Sequence, residues 1–289
     1  MTAALPPLIP HFAEIAPDYD VLLCDVWGVI HNGVKSFPAA CAALQRWRER
    51  QGPVVLISNA ARPSHAVAAQ LDGLAVPRGA YSALVTSGDV TRALLAARAP
   101  GPVFAIGPER GHSLYEGLGL TFAGLDEAAF ICCTGPDDDD REGPEDYRAL
   151  LTRAAERALP MICANPDKVV QRGERLVYCG GALAELYETL GGRVEMAGKP
   201  YAPIYDVSLE QAAGIAGAPA NLRRVLAIGD GIATDLAGAA QQGIDCLFIA
   251  GGIHGVELRG AGGRFDLGAS ERLLAAKGAR ATYAMEALV

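Results

Sequence analysis

The sequence predicts an α/β fold built on a parallel sheet, and three observations carry this prediction. Short apolar runs of strand length alternate along the chain with longer segments that have apolar residues at helical spacing. The chain has 289 residues, which suggests about two domains. Apolar residues make up 51% of the chain and charged residues 20%, so a sizeable core can form. Because strands and helices alternate, we expect parallel strands joined by right-handed crossovers.

The individual elements follow from this pattern. Strands are predicted at residues 21–24, 53–57, 83–85, 103–106, 129–133, 161–164, 225–228 and 246–249. Helices are predicted at residues 39–49, 65–74, 90–98, 145–158, 182–190, 202–216 and 235–242, with a final helix around residues 270–276.

Composition excludes several classes of partner. The formal net charge is -8 and no cluster of Lys or Arg occurs, which argues against a nucleic-acid partner but allows a small anionic substrate. No basic residue precedes Lys35, and no apolar run approaches the ~18 residues of a membrane span. The seven cysteines show no metal or redox spacing, which indicates reduced and mostly buried thiols. We therefore expect a cytoplasmic protein without a membrane partner.

Carboxylates follow two of the predicted strands. Asp25 comes directly after strand 21–24, and Asp230 and Asp235 follow strand 225–228. The carboxyl ends of parallel strands lie at one edge of a sheet, where ligands usually bind. Clustered carboxylates repel one another unless a cation lies between them, and ligation by oxygen alone favours Mg²⁺. The pattern therefore predicts a magnesium site.

Four short motifs occur in order along the chain. They are Asp25-Val26-Trp27-Gly28-Val29, Ser58-Asn59, Gly198-Lys199-Pro200, and Gly229-Asp230-Gly231 followed by Thr234-Asp235. Together they resemble the four motifs of the haloacid dehalogenase superfamily. The long insert between the second and third motifs resembles the C2-capped subclass, which includes phosphatases of the p-nitrophenyl, pyridoxal, nucleotide and sugar phosphate types. The resemblance implies a doubly wound parallel sheet in a core of residues 1–85 and 198–289, with an inserted smaller α/β cap of residues 86–197.

The resemblance also implies roles for the residues of the first and last motifs. Asp25 is implied to be the nucleophile that forms an aspartyl phosphate, which divides one difficult displacement into two. Asp25, Asp230, Asp235 and the backbone carbonyl of Trp27 are implied to hold the Mg²⁺ ion.

Phosphate and substrate contacts are predicted from the remaining motifs. Ser58 and Asn59 lie between a strand and a helix, where a hydroxyl and backbone N–H groups suit phosphate oxygens. Lys199 matches the phosphate-clamping lysine of the family, whose ammonium group stabilises charge during phosphoryl transfer. Asn165 and Asp167 resemble the cap loop that meets the leaving group, so we expect them to affect substrate specificity.

Trp27 is where the sequence departs from the family pattern. Most phosphatases of the superfamily have a second aspartate there, which acts as general acid and base. An indole N–H is a donor only and cannot shuttle a proton. Three interpretations stay open: His31 substitutes as the acid/base group, the substrates have good leaving groups, or the site binds phosphate without efficient turnover.

The sequence as a whole favours a Mg²⁺-dependent hydrolase that acts on a small phosphorylated metabolite. The alternative is a phosphometabolite-binding protein that retains the fold and the metal site but not turnover. Relatives with a C2 cap often pair, so a homodimer is a further expectation.

Overall fold

The computed structural model describes residues 6–172, 175–259 and 265–289, and the chain divides into two compact units. The first unit contains the described residues up to Ser58, then Ala68–Val85 and Tyr205–Val289. The second contains Asn59–Val67 and Thr86–Ile204. The range of residues 86–197 for the cap stays a prediction.

The helices and strands follow one another in the expected alternation. The strands are β1 Val21–Asp25, β2 Val54–Ser58, β3 Ala83–Thr86, β4 Val103–Ile106, β5 Phe130–Cys133, β6 Pro160–Cys163, β7 Val169–Arg172, β8 Arg175–Tyr178, β9 Arg193–Met196, β10 Val225–Gly229, β11 Asp245–Ile249 and β12 Tyr283–Met285. The α-helices are α1 Pro38–Arg50, α2 Ser64–Gly73, α3 Ser87–Ala96, α4 Arg148–Glu156, α5 Gly180–Thr189, α6 Ala202–Ala216, α7 Ala237–Gln242 and α8 Leu267–Ala276.

The first unit is built on a six-stranded sheet with the strand order β3-β2-β1-β10-β11-β12. Strand β1 pairs in parallel with β2 and β10, and β11 pairs in parallel with β10 and β12. The chain therefore runs outward from β1 to one side and then outward from β10 to the other, as in doubly wound folds. This order confirms the predicted fold class. It also creates a crevice at the carboxyl ends of β1 and β10, where the strand order reverses.

The two central strands are apolar along their whole length because both faces of the sheet are covered. Leu22, Leu23 and Cys24 of β1 are completely buried, as is Leu226 of β10. Such continuous apolar runs are typical of parallel strands that have no solvent-facing side. Cys24 pairs with Ile228, so the next residue of each strand stands at the same level at the edge of the sheet.

The second unit has a parallel sheet of its own, with the order β4-β5-β6-β9. Alternate residues of its strands enter two different cores. Ile131 and Cys133 pack with α4 and α5, whereas Phe130 and Cys132 pack with Leu95 of α3. Strands β7 and β8 form a separate antiparallel hairpin.

Every predicted strand and helix is present, although β7, β8, β9 and β12 were not predicted. All seven cysteines lie among the described residues and each is buried, which confirms the prediction of mostly buried thiols. In the part of the chain that the structure describes, no helix is long and apolar enough to cross a membrane.

The core of the second unit can be tested with one substitution made at two sites. Leu183 of α5 is completely buried, whereas Leu176 of β8 is 67% exposed. We expect Leu183→Ala to lower the free energy of unfolding by about 2–5 kcal/mol, because it removes buried methyl groups and leaves a cavity. We expect Leu176→Ala to change it by less than about 0.5 kcal/mol. Urea unfolding followed by far-UV circular dichroism measures both, and equal effects would contradict the assigned core.

Candidate active site

Three carboxylates meet at the carboxyl edge of the sheet in the first unit. Asp25 ends β1, Asp230 follows β10, and Asp235 lies in the π-helical turn Ile232–Leu236 before α7. All three side chains are buried, and each offers an oxygen atom that lies within 4.8 Å of the others. The structure thus brings together the three acidic residues that the sequence predicted to meet.

Asp230 is held in a space that only glycine neighbours permit. A Cβ atom at Gly28 or at Gly252 would overlap the carboxylate of Asp230. Gly28 also has a φ of +77°, a region in which residues with side chains are strained. The backbone N–H of Ile253 donates a hydrogen bond of 2.6 Å to Oδ2 of Asp230. The loops that follow β1 and β11 therefore fix this carboxylate from two sides.

Asp235 is oriented by its own turn. Its Oδ2 accepts hydrogen bonds from the backbone N–H of Gly231 at 3.0 Å and from the hydroxyl of Thr234 at 3.3 Å. A Cβ atom at Gly229 would overlap the side chain of Asp235, so the close approach to the end of β10 also requires glycine.

The donor set fits a hard divalent cation. Three buried carboxylates this close repel one another strongly, and a cation between them relieves that repulsion. All the donors are oxygen atoms, which Mg²⁺ and Ca²⁺ prefer. Among the described residues, no other group of His, Cys, Asp or Glu side chains meets in this way. The cluster therefore has the chemistry of a metal site.

Trp27 and His31 belong to the turn that follows β1. The indole of Trp27 is 37% exposed and lies against Gly33, where a Cβ atom would overlap the ring. The centroids of the indole and imidazole rings are 5.1 Å apart in an edge-to-face arrangement. The backbone carbonyl of His31 accepts a hydrogen bond of 2.8 Å from Gly28. The turn is thus closed by His31 and covered by Trp27.

The imidazole of His31 is buried and engaged within this turn. Its Nδ1 accepts a hydrogen bond of 2.9 Å from the backbone N–H of Gly33, so the neutral ring carries its proton on Nε2. Burial lowers the pKa of His31 to about 4, which leaves the ring neutral at pH 7. A general acid/base group works best with a pKa near the operating pH. These properties are unfavourable for the acid/base role that was one interpretation of the sequence.

Ser58 ends β2 and is buried, as is Asn59, which follows it. Oδ1 of Asn59 accepts a hydrogen bond of 2.7 Å from the N–H of Lys199. Its Nδ2 donates to the backbone carbonyl of Lys199 at 3.1 Å and to Oδ1 of Asp167 at 2.9 Å. Both amide hydrogens of Asn59 are therefore used within the second unit, and the predicted phosphate contact of this residue rests on its backbone N–H.

Lys199 is only 2% exposed. The loop after β6 holds Asn165 and Asp167, and both are half-buried. The backbone N–H of Asp167 donates to Oδ1 of Asn165 at 3.0 Å, which closes a tight turn. The structure joins Asp167 to Asn59, and substrate contact by Asn165 and Asp167 stays a prediction.

Two features of the site were missed by the sequence analysis. Gly252 and Ile253 shape the surroundings of Asp230, and the signal for them was the glycine pair that directly follows the strand at residues 246–249. The contact between Asn59 and Asp167 had no signal, because it joins positions 108 residues apart.

Comparison with known proteins agrees with this arrangement. A family model described as haloacid dehalogenase-like hydrolase matches residues 22–121, and a second, HAD-hydrolase-like, matches residues 196–267. A crystal structure of a hydrolase of the haloacid dehalogenase-like family from Brucella suis 1330 is 45% identical, with a TM-score of 0.86, over 98% of this chain and 100% of that chain.

Two more distant relatives carry names that specify a substrate. The 5'-nucleotidase YutF of Bacillus subtilis (strain 168) is 26% identical over 237 residues, which cover 81% of this chain and 88% of that protein. The glycerol phosphate phosphatase Rv1692 of Mycobacterium tuberculosis, solved in complex with calcium, is 26% identical with a TM-score of 0.60. That match covers 83% of this chain and 68% of the other. The predicted resemblance is therefore confirmed: this chain belongs to the haloacid dehalogenase-like family of hydrolases.

Proposed function

We propose that the protein is a Mg²⁺-dependent phosphatase that hydrolyses a small phosphorylated metabolite through an aspartyl phosphate on Asp25. The observation that carries this proposal is the convergence of Asp25, Asp230 and Asp235 on one buried cluster at the crevice of a doubly wound sheet. The names of the 5'-nucleotidase and the glycerol phosphate phosphatase support a phosphate ester as the substrate.

Asp25 supplies the nucleophile in this proposal. One oxygen of its carboxylate attacks phosphorus, the bond from phosphorus to the leaving oxygen breaks, and an aspartyl phosphate forms. Water then attacks the phosphorus of this intermediate, which releases inorganic phosphate and restores the carboxylate. Its position at the end of a buried strand holds Asp25 in one place, and a fixed nucleophile avoids the entropic cost of a bimolecular encounter.

The carboxylates of Asp25, Asp230 and Asp235 and the backbone carbonyl of Trp27 would hold Mg²⁺. Such an ion supplies positive charge that lowers the repulsion between a phosphate group and an attacking carboxylate. The calcium complex of the glycerol phosphate phosphatase is consistent with a divalent cation in relatives of this chain. Lys199 is proposed to clamp phosphate oxygens with its ammonium group, and Ser58 to donate its hydroxyl.

Trp27 decides which leaving groups are hydrolysed. Neither the indole nor the neutral imidazole of His31 gives a proton to the leaving oxygen and then takes one from water. The leaving oxygen therefore departs as an anion, which favours acyl and aryl phosphates over alkyl phosphates. A binding protein without turnover is the weaker alternative, because the named relatives are enzymes.

We propose that the protein acts in the cytoplasm and that its substrate is a small molecule. The buried thiols of all seven cysteines agree with a reducing compartment, and the net charge of -8 does not favour nucleic acid. The homodimer stays a prediction.

The nucleophile can be tested by removing one charge. We expect Asp25→Asn to reduce kcat for p-nitrophenyl phosphate with Mg²⁺ by a factor on the order of 10⁴ or more, because an amide does not attack phosphorus. Asp206→Asn is the matched control, since Asp206 is exposed on α6. Substantial activity in the Asp25→Asn variant would rule out covalent catalysis at this position.

The leaving-group preference can be tested at Trp27. We expect Trp27→Asp to raise hydrolysis of an alkyl phosphate such as glycerol phosphate by about 10²–10⁴-fold, with a smaller gain for p-nitrophenyl phosphate, because the carboxyl group protonates poor leaving groups. Trp27→Asn is the control, since asparagine has nearly the same size as aspartate but cannot act as a general acid or base. If both variants are folded and neither changes the ratio of the two rates, this account of Trp27 is wrong.

The role of His31 can be separated from proton transfer by two substitutions. His31→Asn keeps a hydrogen-bond acceptor near the position of Nδ1, and His31→Leu removes it. We expect His31→Asn to lower kcat by less than about tenfold, short of the ~10²–10⁴ that loss of an acid/base group costs. We expect the melting temperature of His31→Leu to be the lower of the two. A loss of about 10²-fold or more in a stable His31→Asn variant would restore the acid/base interpretation.

A further inference from the structure

The side chain of Asn59 forms hydrogen bonds with both the backbone N–H and the backbone carbonyl of Lys199. The amide oxygen accepts from the N–H of Lys199, and the amide nitrogen donates to its carbonyl. This pair of bonds fixes the position of the Lys199 Cα atom and the direction in which its side chain leaves the backbone. Asn59 is only 6% exposed, so water offers little competition for these bonds.

The close approach of the two segments depends on Gly198. A Cβ atom at this position would overlap the amide oxygen of Asn59 and lie 2.9 Å from Cδ of Pro166. The residue before Lys199 therefore packs against both Asn59 and the loop that follows β6.

The second amide hydrogen of Asn59 reaches Asp167 in that same loop. The loop is held on its other side by α5, because the N–H of Gly181 donates to the carbonyl of Asp167 at 3.1 Å and a Cβ atom at Gly181 would overlap the backbone of Pro166. The carboxylate of Asp167 is therefore presented to Asn59 by a loop of fixed conformation.

Ser87 at the start of α3 joins the same two segments a second time. Its hydroxyl oxygen lies 2.6 Å from the carbonyl oxygen of Ala164 and 3.1 Å from that of Ala60. Ser87 is completely buried. The residue after Asn59 and the residue before Asn165 are thus anchored to one helix end, and Asn59 has little freedom to turn its amide elsewhere.

We infer that Asn59 is a positioning residue for Lys199, and that the carboxylate of Asp167 fixes the orientation of the Asn59 amide. The inference rests on the proposed function, in which Lys199 clamps the phosphate. Both amide hydrogens of Asn59 are used by Lys199 and Asp167, so its side chain acts on catalysis through the lysine. The carboxylate of Asp167 accepts only from the nitrogen of the amide, which sets the amide oxygen toward the N–H of Lys199.

This arrangement makes the polarity of residue 59 more important than its shape. In Asn59→Asp, an oxygen replaces Nδ2 and faces two acceptors, the carbonyl of Lys199 and the carboxylate of Asp167. We expect kcat/KM for p-nitrophenyl phosphate with Mg²⁺ to fall by about 10- to 100-fold, because the two hydrogen bonds that Nδ2 donates are replaced by repulsion between oxygen atoms. Asn221→Asp is the matched control: Asn221 is exposed, and an aspartate oxygen still accepts from the N–H of Arg223, so a change of less than about threefold is expected.

Exchanging the two groups tests the contact directly. In the double variant that combines Asn59→Asp with Asp167→Asn, an amide at position 167 donates to a carboxylate at position 59. We expect this exchange to recover about tenfold of the lost kcat/KM. If Asn59 only stabilised the fold, Asn59→Asp would lower kcat/KM by the same factor whether or not Lys199 is present. A residue that positions Lys199 affects kcat/KM only when the lysine is there. We therefore expect Asn59→Asp to change kcat/KM by less than about threefold in a Lys199→Ala background.

The outcomes distinguish this inference from the proposed function. If the wild type hydrolyses p-nitrophenyl phosphate and a folded Asn59→Asp variant is equally active, the inference is wrong and the proposed function stands. Equal losses in the wild-type and Lys199→Ala backgrounds also overturn the inference. An inactive wild type overturns both. Should Asn59→Asp fail to fold by circular dichroism, Asn59→Ala removes the same three bonds without adding charge, and the comparison with Lys199→Ala is made with that variant.

Discussion

The mutual repulsion of three buried carboxylates is the constraint on which the first unit depends. Oxygens of Asp25, Asp230 and Asp235 lie within 4.8 Å of one another, and all three residues are buried. Removing charged groups from water is costly unless an opposite charge is close. The protein supplies backbone N–H groups to Asp230 and Asp235, which lowers that cost in part. The remaining repulsion favours a divalent cation, so the chemistry of this edge follows from how the fold brings the acids together.

The sheet achieves this convergence with backbone geometry. Strands β1 and β10 are neighbours although they are far apart in the chain, because the strand order reverses between them. Asp25 is the last residue of β1, and Asp230 directly follows β10. The apolar residues before these two aspartates anchor the strands in the core. Gly28, Gly229 and Gly252 stand where a Cβ atom would overlap Asp230 or Asp235. The glycines therefore let loops approach the carboxylates closely, and hydrogen bonds from those loops then fix them.

Most of the fold could be predicted because its signals are local. Apolar runs marked the central strands, and helical spacing marked the helices between them. The strands that were not predicted have weaker signals: β7 and β8 form a short two-stranded hairpin, β9 alternates over only four residues, and β12 has only three. At the site, motif order identified the three acidic residues that meet. It could not show the hydrogen-bond partners of Asn59 or the burial of His31, because both depend on which distant segments pack together.

The first motif combines a proposed nucleophile with a turn that lacks a proton carrier. Trp27 covers Gly33, and Nδ1 of His31 accepts a hydrogen bond from the same glycine, so the two ring side chains stabilise the turn. Burial keeps the imidazole neutral, because a charged ring would lose its hydration. In the proposed mechanism, expulsion of the leaving group then depends on the stability of the departing anion. In that mechanism, the chemistry of the leaving group therefore determines which phosphate esters are hydrolysed.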